Sequence, residues 1–471
     1  MGAGAAPQAG GDMRVLLAAA EMAPVARVGG LAEAVSGLVR ALRDQGVEVE
    51  VVLPDYGDVR LQRQFETELE SPWWTGPTRI RSGSHSSAGE LTLVGVTGMA
   101  RPHPYVDEHG EGWPDNDHRF MAFSAAVATL TRRSKPDVLH LNDWHSAAAL
   151  GMLAAPPPTV LTIHTLGYQG HAPRAWLEHL PVGTHHFSWH EGCNPLAGGI
   201  ALTDRVIAVS PNYAREIVTP EGGMGLDGRL KAIGDRLVGI RNGIDTATWS
   251  PAVDPLIAAP FDATDLSGRE ACRDRLIELA GWSARKPAIV AAVTRLVDQK
   301  GIDLLVEAAH YLEAMPARLA VLGAGDASLA ASLHELASER PESVFFAEGY
   351  DEALGHALFA GSDLFVMPSR FEPCGLAQMQ AMSYGSLPVV TDVGGLHDTV
   401  VDADARRDGT GFVTDVSAAG IVDGLHRGVR SLRNANRRRA IQSRGMSIDW
   451  SWDAPAAQHI GLYQELLSAR A

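Results

Sequence analysis

Two cationic side chains, Arg295 and Lys300, stand five residues apart immediately after an apolar run. Residues 287–293 of that run predict a buried strand, and a helix is predicted to begin at residue 302. The first N–H groups of a helix and nearby cations bind phosphate oxygens, and arginine can do so with two parallel hydrogen bonds. The spacing therefore predicts a diphosphate-binding segment, with two solvated surface cations as the alternative.

A carboxylate, Glu372, follows a second predicted strand at residues 364–367. The helix predicted after it opens at Gly375, with Cys374 and Leu376 on either side. Backbone N–H groups at a helix start suit an anion, whereas a carboxylate repels phosphate and accepts hydrogen bonds from sugar hydroxyls. A ligand with a polyol beside a diphosphate needs both features. An ordinary strand–loop–helix turn is the alternative for this stretch.

The N-terminal part of the chain predicts a strand–helix–strand unit over residues 14–53. Gly29 and Gly30 stand at the predicted start of its helix, where backbone without side chains lets a ligand approach closely. Their spacing is not that of the dinucleotide-binding G-x-G-x-x-G pattern, so a simple tight turn is the alternative.

Polar side chains follow two further predicted strands in this half. Asp143 and His145 come after residues 137–141, and His164 comes after residues 159–163. Because ligands bind at the carboxyl ends of parallel strands, these groups predict a cleft. For each histidine alone, a structural role with satisfied hydrogen bonds is the alternative.

Length and charge restrict the class of protein. The chain has 471 residues, which predicts two or three domains, and its formal net charge of −16 argues against nucleic acid or an anionic membrane as the main partner. No apolar run reaches the roughly 20 residues of a spanning helix. The three cysteines stand far apart, with no disulfide framework, so a reducing cytoplasm is expected. Residues 1–12 are rich in glycine and alanine and predict a disordered tail rather than a signal peptide.

Residues 57–120 show no clear period and are predicted to form a variable surface loop near the active site. Acids and histidines in this segment could suggest a metal, but their spacing matches no ligand pattern, and no metal is expected. The side chains concerned are His103, Asp107, His109, Asp115 and Asp117. Further on, residues 201–210, ALTDRVIAVS, predict a strand.

These segments together resemble the glycogen and starch synthases, a family of retaining glucosyltransferases with the GT-B fold. Residues 295–301 reproduce the family's Arg-Leu-x-x-Gln-Lys-Gly without a change, and residues 143–145 read Asp-Trp-His as the family does. Residues 372–376 resemble its donor-site loop, and residues 242–245 resemble its Asn-Gly-Ile-Asp signature, where the chain crosses between domains.

The resemblance implies an α/β protein of two Rossmann-like, doubly wound domains facing a central cleft. The implied acceptor-side domain covers residues 13–245, and the implied nucleotide-sugar-binding domain covers residues 246–450. A C-terminal helix, residues 451–471, is expected to return to the N-terminal domain. The sequence leaves the oligomeric state open.

The resemblance also implies an activity and a role for each site residue. The implied reaction is retaining transfer of a hexosyl unit without metal or cofactor, most simply glucose from an ADP-glucose-like donor to an α-glucan. His164 is expected against the donor sugar, Asp143 toward the acceptor, and Glu372 on the sugar's 3- and 4-hydroxyls. Arg295 and Lys300 are expected to stabilise the leaving diphosphate. Further residues expected to contact substrate are Arg27, Gly29, Gly30, Thr165, Gly323, Gly325, Cys374, Gly375, Leu376 and Gln380.

Three positions depart from the family pattern: Arg27 replaces a lysine, Thr165 an asparagine and Ala197 a lysine. Because the diphosphate-binding segment is unchanged, the departures favour a changed sugar or acceptor site. The alternative function is therefore a synthase-derived enzyme that acts on a small sugar or cyclitol acceptor in specialised metabolism. A glucan- or nucleotide-binding protein without turnover, and a phosphorylase that carries pyridoxal phosphate, are further alternatives.

Overall fold

The computed structural model describes residues 13–283 and 287–470. The tail predicted for residues 1–12 lies outside the described residues. No helix within the described ranges is long and apolar enough to cross a membrane. The same ranges contain no group of three or more His, Cys, Asp or Glu side chains that could hold a metal ion.

Contacts divide the chain into two compact units. The first unit comprises residues 13–243 and returns with residues 452–470, and the second comprises residues 244–451, apart from the undescribed residues 284–286. The chain thus leaves the first unit after Gly243, two residues before the predicted boundary.

The first unit is built on one large sheet and one small one. Its strands are β1 (Arg14–Ala18), β2 (Glu48–Pro54), β3 (Gln62–Glu68), β4 (Arg79–His85), β5 (Gly89–Gly95), β6 (Val138–Asn142), β7 (Thr159–Ile163), β8 (Ala172–Pro173), β9 (Ser188–Trp189), β10 (Gly192–Cys193), β11 (Arg205–Ala208) and β12 (Leu237–Gly239). Over the described residues, the large sheet has the order β12-β11-β7-β6-β1-β2-β5-β4-β3, and β8, β10 and β9 form the small one. Pairs β3–β4 and β4–β5 are antiparallel.

Helices follow most of the parallel strands of this unit. They are α1 (Gly30–Asp44), α2 (Asn116–Ser134), α3 (Asp143–Ala147), α4 (Thr184–Phe187), α5 (Pro195–Leu202), α6 (Pro211–Glu216), α7 (Asp227–Ala232) and the returning α16 (Asp453–Arg470). The segment that leads into α16 packs against α1, where a Cβ on Gly37 would lie 2.0 Å from the indole nitrogen of Trp452. A glycine at this position therefore lets the returning chain join the core around Val35 and Tyr463.

The second unit is built on one parallel sheet. Its strands are β13 (Ala288–Leu296), β14 (Ala317–Gly325), β15 (Val344–Glu348), β16 (Leu364–Met367), β17 (Leu387–Thr391) and β18 (Phe412–Thr414). Its helices are α8 (Gly268–Leu279), α9 (Ile302–Ala309), α10 (Ala327–Glu339), α11 (Glu352–Gly361), α12 (Ala377–Ser383), α13 (Gly394–Thr399), α14 (Ala418–Leu432) and α15 (Ala435–Met446).

The order of these strands marks a ligand position. Over the described part of the unit, the sheet runs β15-β14-β13-β16-β17-β18, so the order reverses between β13 and β16. In such sheets a ligand binds at the carboxyl ends of the strands on either side of the reversal. The loops that follow Leu296 and Met367 occupy this place.

Two expectations from the sequence are wrong in part. Residues 57–120 are not one long loop, because β3, β4 and β5 extend the large sheet and α2 begins at Asn116. Residues 79–85, which form β4, pair along their whole length with β5. In residues 201–210, only Arg205–Ala208 form a strand, since α5 continues to Leu202. A buried apolar run does not distinguish helix from strand.

Candidate active-site residues in the two units

In the first unit the strand order reverses between β1 and β6, so the segments after these strands share one edge of the sheet. Glu21 is buried just after β1, and its Oε2 accepts hydrogen bonds from the backbone N–H groups of Val28 (2.7 Å) and Gly29 (3.1 Å). The hydroxyl of Tyr105 donates to its other oxygen at 2.6 Å. One carboxylate therefore shapes the loop that carries Gly29 and Gly30 into α1.

Arg27, expected to face the donor diphosphate, forms an ion pair with Glu33 in the first turn of α1. The Nε–Oε1 distance is 2.9 Å, and the Arg27 side chain is 42% exposed. The cation lies close to the helix start but already has a carboxylate partner within its own unit. Its contact with a diphosphate stays a prediction.

Asp143 holds the backbone that follows β7 through a hydrogen bond. It has a φ of 51°, a strained value for a residue with a Cβ, and is 4% exposed. Its Oδ1 accepts a hydrogen bond from the backbone N–H of His164 at 2.7 Å. Burial raises the pKa of Asp143 to about 7, although hydrogen bonds from the backbone N–H groups of His164 and Thr165 act in the opposite direction. Its expected contact with an acceptor stays a prediction.

The ring of His164 is held from the end of the neighbouring strand, because its Nε2 lies 2.9 Å from Oδ1 of Asn142. Burial lowers the pKa of His164 to about 3, and burial does the same to His145. Both rings are therefore neutral near pH 7. The hydroxyl of Thr165 accepts a hydrogen bond from the N–H of Gly167 at 3.1 Å, which shapes the loop after β7.

In the second unit the two loops at the strand reversal meet. Nζ of Lys300 forms an ion pair with Oε2 of Glu372, and the buried hydroxyl of Ser369 donates to the same oxygen at 3.1 Å. A Cβ on Gly301 would lie 2.0 Å from the carbonyl oxygen of Pro368, so only glycine permits this approach of the loops. The fold thus joins the predicted phosphate-binding cation to the predicted hydroxyl-binding carboxylate.

Arg295 is exposed near the end of β13, in register with Ala324 on β14. On either side of that residue, Gly323 and Gly325 allow the two strands to approach closely. A Cβ on Gly323 would lie 2.3 Å from the carbonyl oxygen of Thr294, and Gly325 has a φ of 151°. Close packing of the two strands therefore explains these glycines without a ligand. Their contact with a nucleotide stays a prediction.

The donor-site loop around Gly375 is held by a side chain of α12. Nε2 of Gln378 donates to the carbonyl oxygens of Cys374 (3.1 Å) and Gly375 (3.0 Å). Gly375 itself has a φ of 72°, which favours glycine. Leu376 precedes the helix, and Gln380 is buried on it. These residues share one short segment, as the sequence predicts, and their substrate contacts stay predictions.

Several residues of these arrangements escaped prediction. They are Glu21, Tyr105, Asn142, Ser369 and Gln378. A signal was present for two of them, since Asn142 immediately precedes Asp143 at a strand end and Ser369 stands three residues before Glu372. Tyr105 gave no signal, because its partner Glu21 is 84 positions away.

Both sheets carry polar groups at the reversal of their strand order, and comparison with known proteins specifies the class of protein. Residues 14–232 match the family model described as Starch synthase catalytic domain, and residues 281–444 match Glycosyl transferases group 1. The chain is therefore a glycosyltransferase. A sucrose-phosphate synthase from Thermosynechococcus elongatus shares the fold, with a TM-score of 0.63, 19% identity, and coverage of 97% of this chain and 100% of that one.

The family is defined by relatives of similar length. A glycogen synthase of Halorhodospira halophila is 40% identical and one of Acidiphilium cryptum 38%, and each match covers 97% of this chain and 100% of the relative. The catalytic domain of starch synthase IV from Arabidopsis thaliana, bound to ADP and acarbose, has a TM-score of 0.87 at 32% identity, over 97% of this chain and 100% of that one. The chain belongs to the glycogen synthase family, and the expected GT-B fold is confirmed.

Proposed function

We propose that this protein transfers a glucosyl unit from a nucleoside-diphosphate glucose, most simply ADP-glucose, to the end of an α-glucan with retention of configuration. The observation that carries the proposal is the contact between Lys300 and Glu372 at the strand reversal of the second unit. It combines a cation for a diphosphate with a carboxylate for sugar hydroxyls, which are the two features of a sugar nucleotide.

The reaction chemistry follows from charge. As the bond from the sugar to the diphosphate breaks, negative charge develops on the leaving group, and preorganised cations stabilise it. Arg295 and Lys300, together with the backbone N–H groups after Gly375, supply this stabilisation without a metal or a cofactor. His164 is neutral near pH 7, so its ring adds no positive charge beside an anomeric centre that becomes positive. The backbone carbonyl of His164 is the proposed partner for that charge.

No carboxylate is assigned as nucleophile among the proposed groups, so we do not propose a double displacement through a covalent intermediate as the route to retention. Glu372 is engaged with Lys300 and Ser369, and Asp143 is engaged with the backbone of His164. We therefore assign attack by the acceptor hydroxyl on the face from which the diphosphate leaves, with a phosphate oxygen accepting the hydroxyl proton. Cys193, Cys272 and Cys374, all within the described residues, form no disulfide, which suits the reducing cytoplasm proposed as the location.

The choice of ADP and glucan draws on relatives. The starch synthase IV domain was solved with ADP and acarbose, and the named bacterial relatives are glycogen synthases. Near-complete coverage of the chain supports transfer of that activity to this protein.

A second candidate is a transferase that uses a small sugar or cyclitol acceptor in specialised metabolism. Three observations favour it: Arg27 is paired with Glu33, Thr165 is engaged with Gly167, and Ala197 is buried in α5. None of these positions carries the side chain of the family pattern.

The proposed function is tested by supplying ADP-glucose and glycogen and measuring both ADP release and glucan growth. The wild-type protein should extend the glucan, and Lys300→Ala should lose at least about 100-fold in kcat because the leaving diphosphate lacks its cation. Lys231→Ala, which removes an exposed lysine of α7, is the matched control. Tight binding of ADP without glucan growth would reject the glucan acceptor and direct the search to small acceptors.

A further inference from the structure

Asn142, at the carboxyl end of β6, is an unusually well anchored side chain. It is 1% exposed. Its backbone N–H donates to Oγ of Ser146 at 2.9 Å, and the hydroxyl of Ser146 donates back to its carbonyl oxygen at 3.0 Å. Its amide nitrogen donates to the carbonyl oxygen of Ala18, on the adjacent strand β1, at 3.1 Å. Both the backbone and the amide of Asn142 are therefore fixed.

These bonds determine which atom of Asn142 faces His164. A carbonyl oxygen only accepts hydrogen bonds, so the amide group turned toward Ala18 must be the NH₂. The amide oxygen then faces Nε2 of His164, at 2.9 Å. An amide oxygen also only accepts, so Nε2 of His164 must carry the hydrogen.

The charge of the ring determines the state of its other nitrogen. Burial lowers the pKa of His164 to about 3, and His459 of α16 lowers it further. The other titratable groups coupled to it are His140, His145 and Asp143, whose carboxylate accepts from the backbone N–H of His164. A neutral imidazole has one N–H, and because Nε2 carries it, Nδ1 presents a lone pair.

We propose that Asn142 is a positioning residue for glycosyl transfer, which fixes His164 in the Nε2–H tautomer so that Nδ1 is a hydrogen-bond acceptor for a hydroxyl of the sugar substrate. The inference rests on the proposed function for the presence of a sugar at His164. The same tautomer makes the site selective for a hydroxyl group, since a sugar hydroxyl can donate a hydrogen bond to Nδ1 whereas a carboxylate in its place cannot. Asn142 and Asp143, consecutive in the chain, then hold the ring and the backbone of His164 respectively.

A purely structural role predicts different behaviour. Asn142 and His164 line a small cavity of the first unit together with Thr162, Asn242 and His459, so loss of the amide could simply loosen the core. In that case stability would fall, while the tautomer and the pH dependence of His164 would not change.

The first test is direct and does not require activity. Nuclear magnetic resonance of protein labelled with ¹⁵N in its histidine rings reports the tautomer, and His164→Gln identifies the His164 signals by their loss. We expect an Nε2–H ring that stays neutral from pH 8 down to about 5. An Nδ1–H ring, or a ring that gains a proton above about pH 5, overturns the proposal.

The second test uses two substitutions. Asn142→Leu removes the acceptor, and kcat should fall about 10- to 100-fold, whereas KM for ADP-glucose should change by less than about 3-fold. Asn142→Asp places a carboxylate against Nε2–H, which raises the pKa of His164. Its activity should therefore be lost as pH falls through a new inflection between about 5 and 7, and it should recover at about pH 8.

Thr159→Val is the matched control. Thr159 is the first residue of β7, the strand that His164 follows, and its hydroxyl donates to Asp204 at 2.8 Å. This variant should lose stability and keep its kcat. If the Asn142 variants lose activity only in proportion to stability, with no shift in the pH profile, Asn142 is structural and the proposal is wrong. An inactive wild-type protein with the expected tautomer would instead count against the proposed function.

Discussion

Replacement of Lys300 by methionine should destabilise the second unit, because it leaves the carboxylate of Glu372 without its cation. The two side chains form an ion pair in which Lys300 is 17% exposed and Glu372 is 7% exposed. Methionine keeps most of the aliphatic stem, so the substitution removes the charge with little loss of apolar contact.

The size of the effect follows from this geometry. At about 3 Å and an effective dielectric constant of about 20, two unit charges attract by roughly 5 kcal/mol, which desolvation of both groups largely offsets. Removal of one partner of a buried pair costs about 3–5 kcal/mol. Since the hydroxyl of Ser369 still donates to Glu372, we expect the lower end, about 3 kcal/mol. For a domain of roughly 200 residues this corresponds to a fall in Tm of about 6–12 °C.

Differential scanning calorimetry of three variants separates the pair from the activity. Lys300→Met should show the full loss of free energy of unfolding. The double variant, Lys300→Met with Glu372→Gln, should recover most of it because no buried charge remains. Both should stay inactive with ADP-glucose. Arg275→Met is the control, since Arg275 pairs with Glu278 on the surface of the same unit and should contribute less than about 1 kcal/mol.

Two results would refute this reasoning. If Lys300→Met unfolds at the wild-type temperature, the pair does not stabilise the protein in solution. If the double variant regains transferase activity, Lys300 acts only by holding Glu372 and does not contact the leaving diphosphate.

Two further predictions concern Asp143 and Gly395. The raised pKa of Asp143, about 7 against an ordinary value near 3.9, means that its contribution to stability is complete below about pH 4 and is lost as pH rises through about 7. The free energy of unfolding, measured in urea, should therefore rise for Asp143→Asn relative to wild type by about 3 kcal/mol between pH 5 and pH 8. A difference between the two proteins that stays constant over this pH range would contradict the prediction. Gly395→Ala should cost about 1–3 kcal/mol and lower kcat, because its Cβ would lie 2.1 Å from the carbonyl oxygen of Cys374. Gly461→Ala, with open space in α16, should be neutral or stabilising, and an equal loss in both variants would show that the contact with Cys374 is unimportant.

Hydrophobic periodicity predicted many of the strands and helices, because such a pattern is complete within a few consecutive residues. The apolar period before Arg295 and Glu372 indicated strands, and the structure has β13 and β16 there. Strand ends also predicted where Asp143 and His164 would lie. The loop expected for residues 57–120 is wrong at residues 79–85, because only their pairing with β5 makes them a strand.

The sequence by itself determined the family and the chemical types at each strand end. The tertiary structure alone decided which of these side chains meet. Lys300 reaches Glu372 across 72 positions, Tyr105 reaches Glu21 across 84, and Asn142 reaches His164 across 22. Hydrophobic periodicity specifies which face of a strand is buried, but the order of strands in a sheet specifies which loops become neighbours. Because that order is a property of the whole sheet, no local segment contains these three long-range contacts.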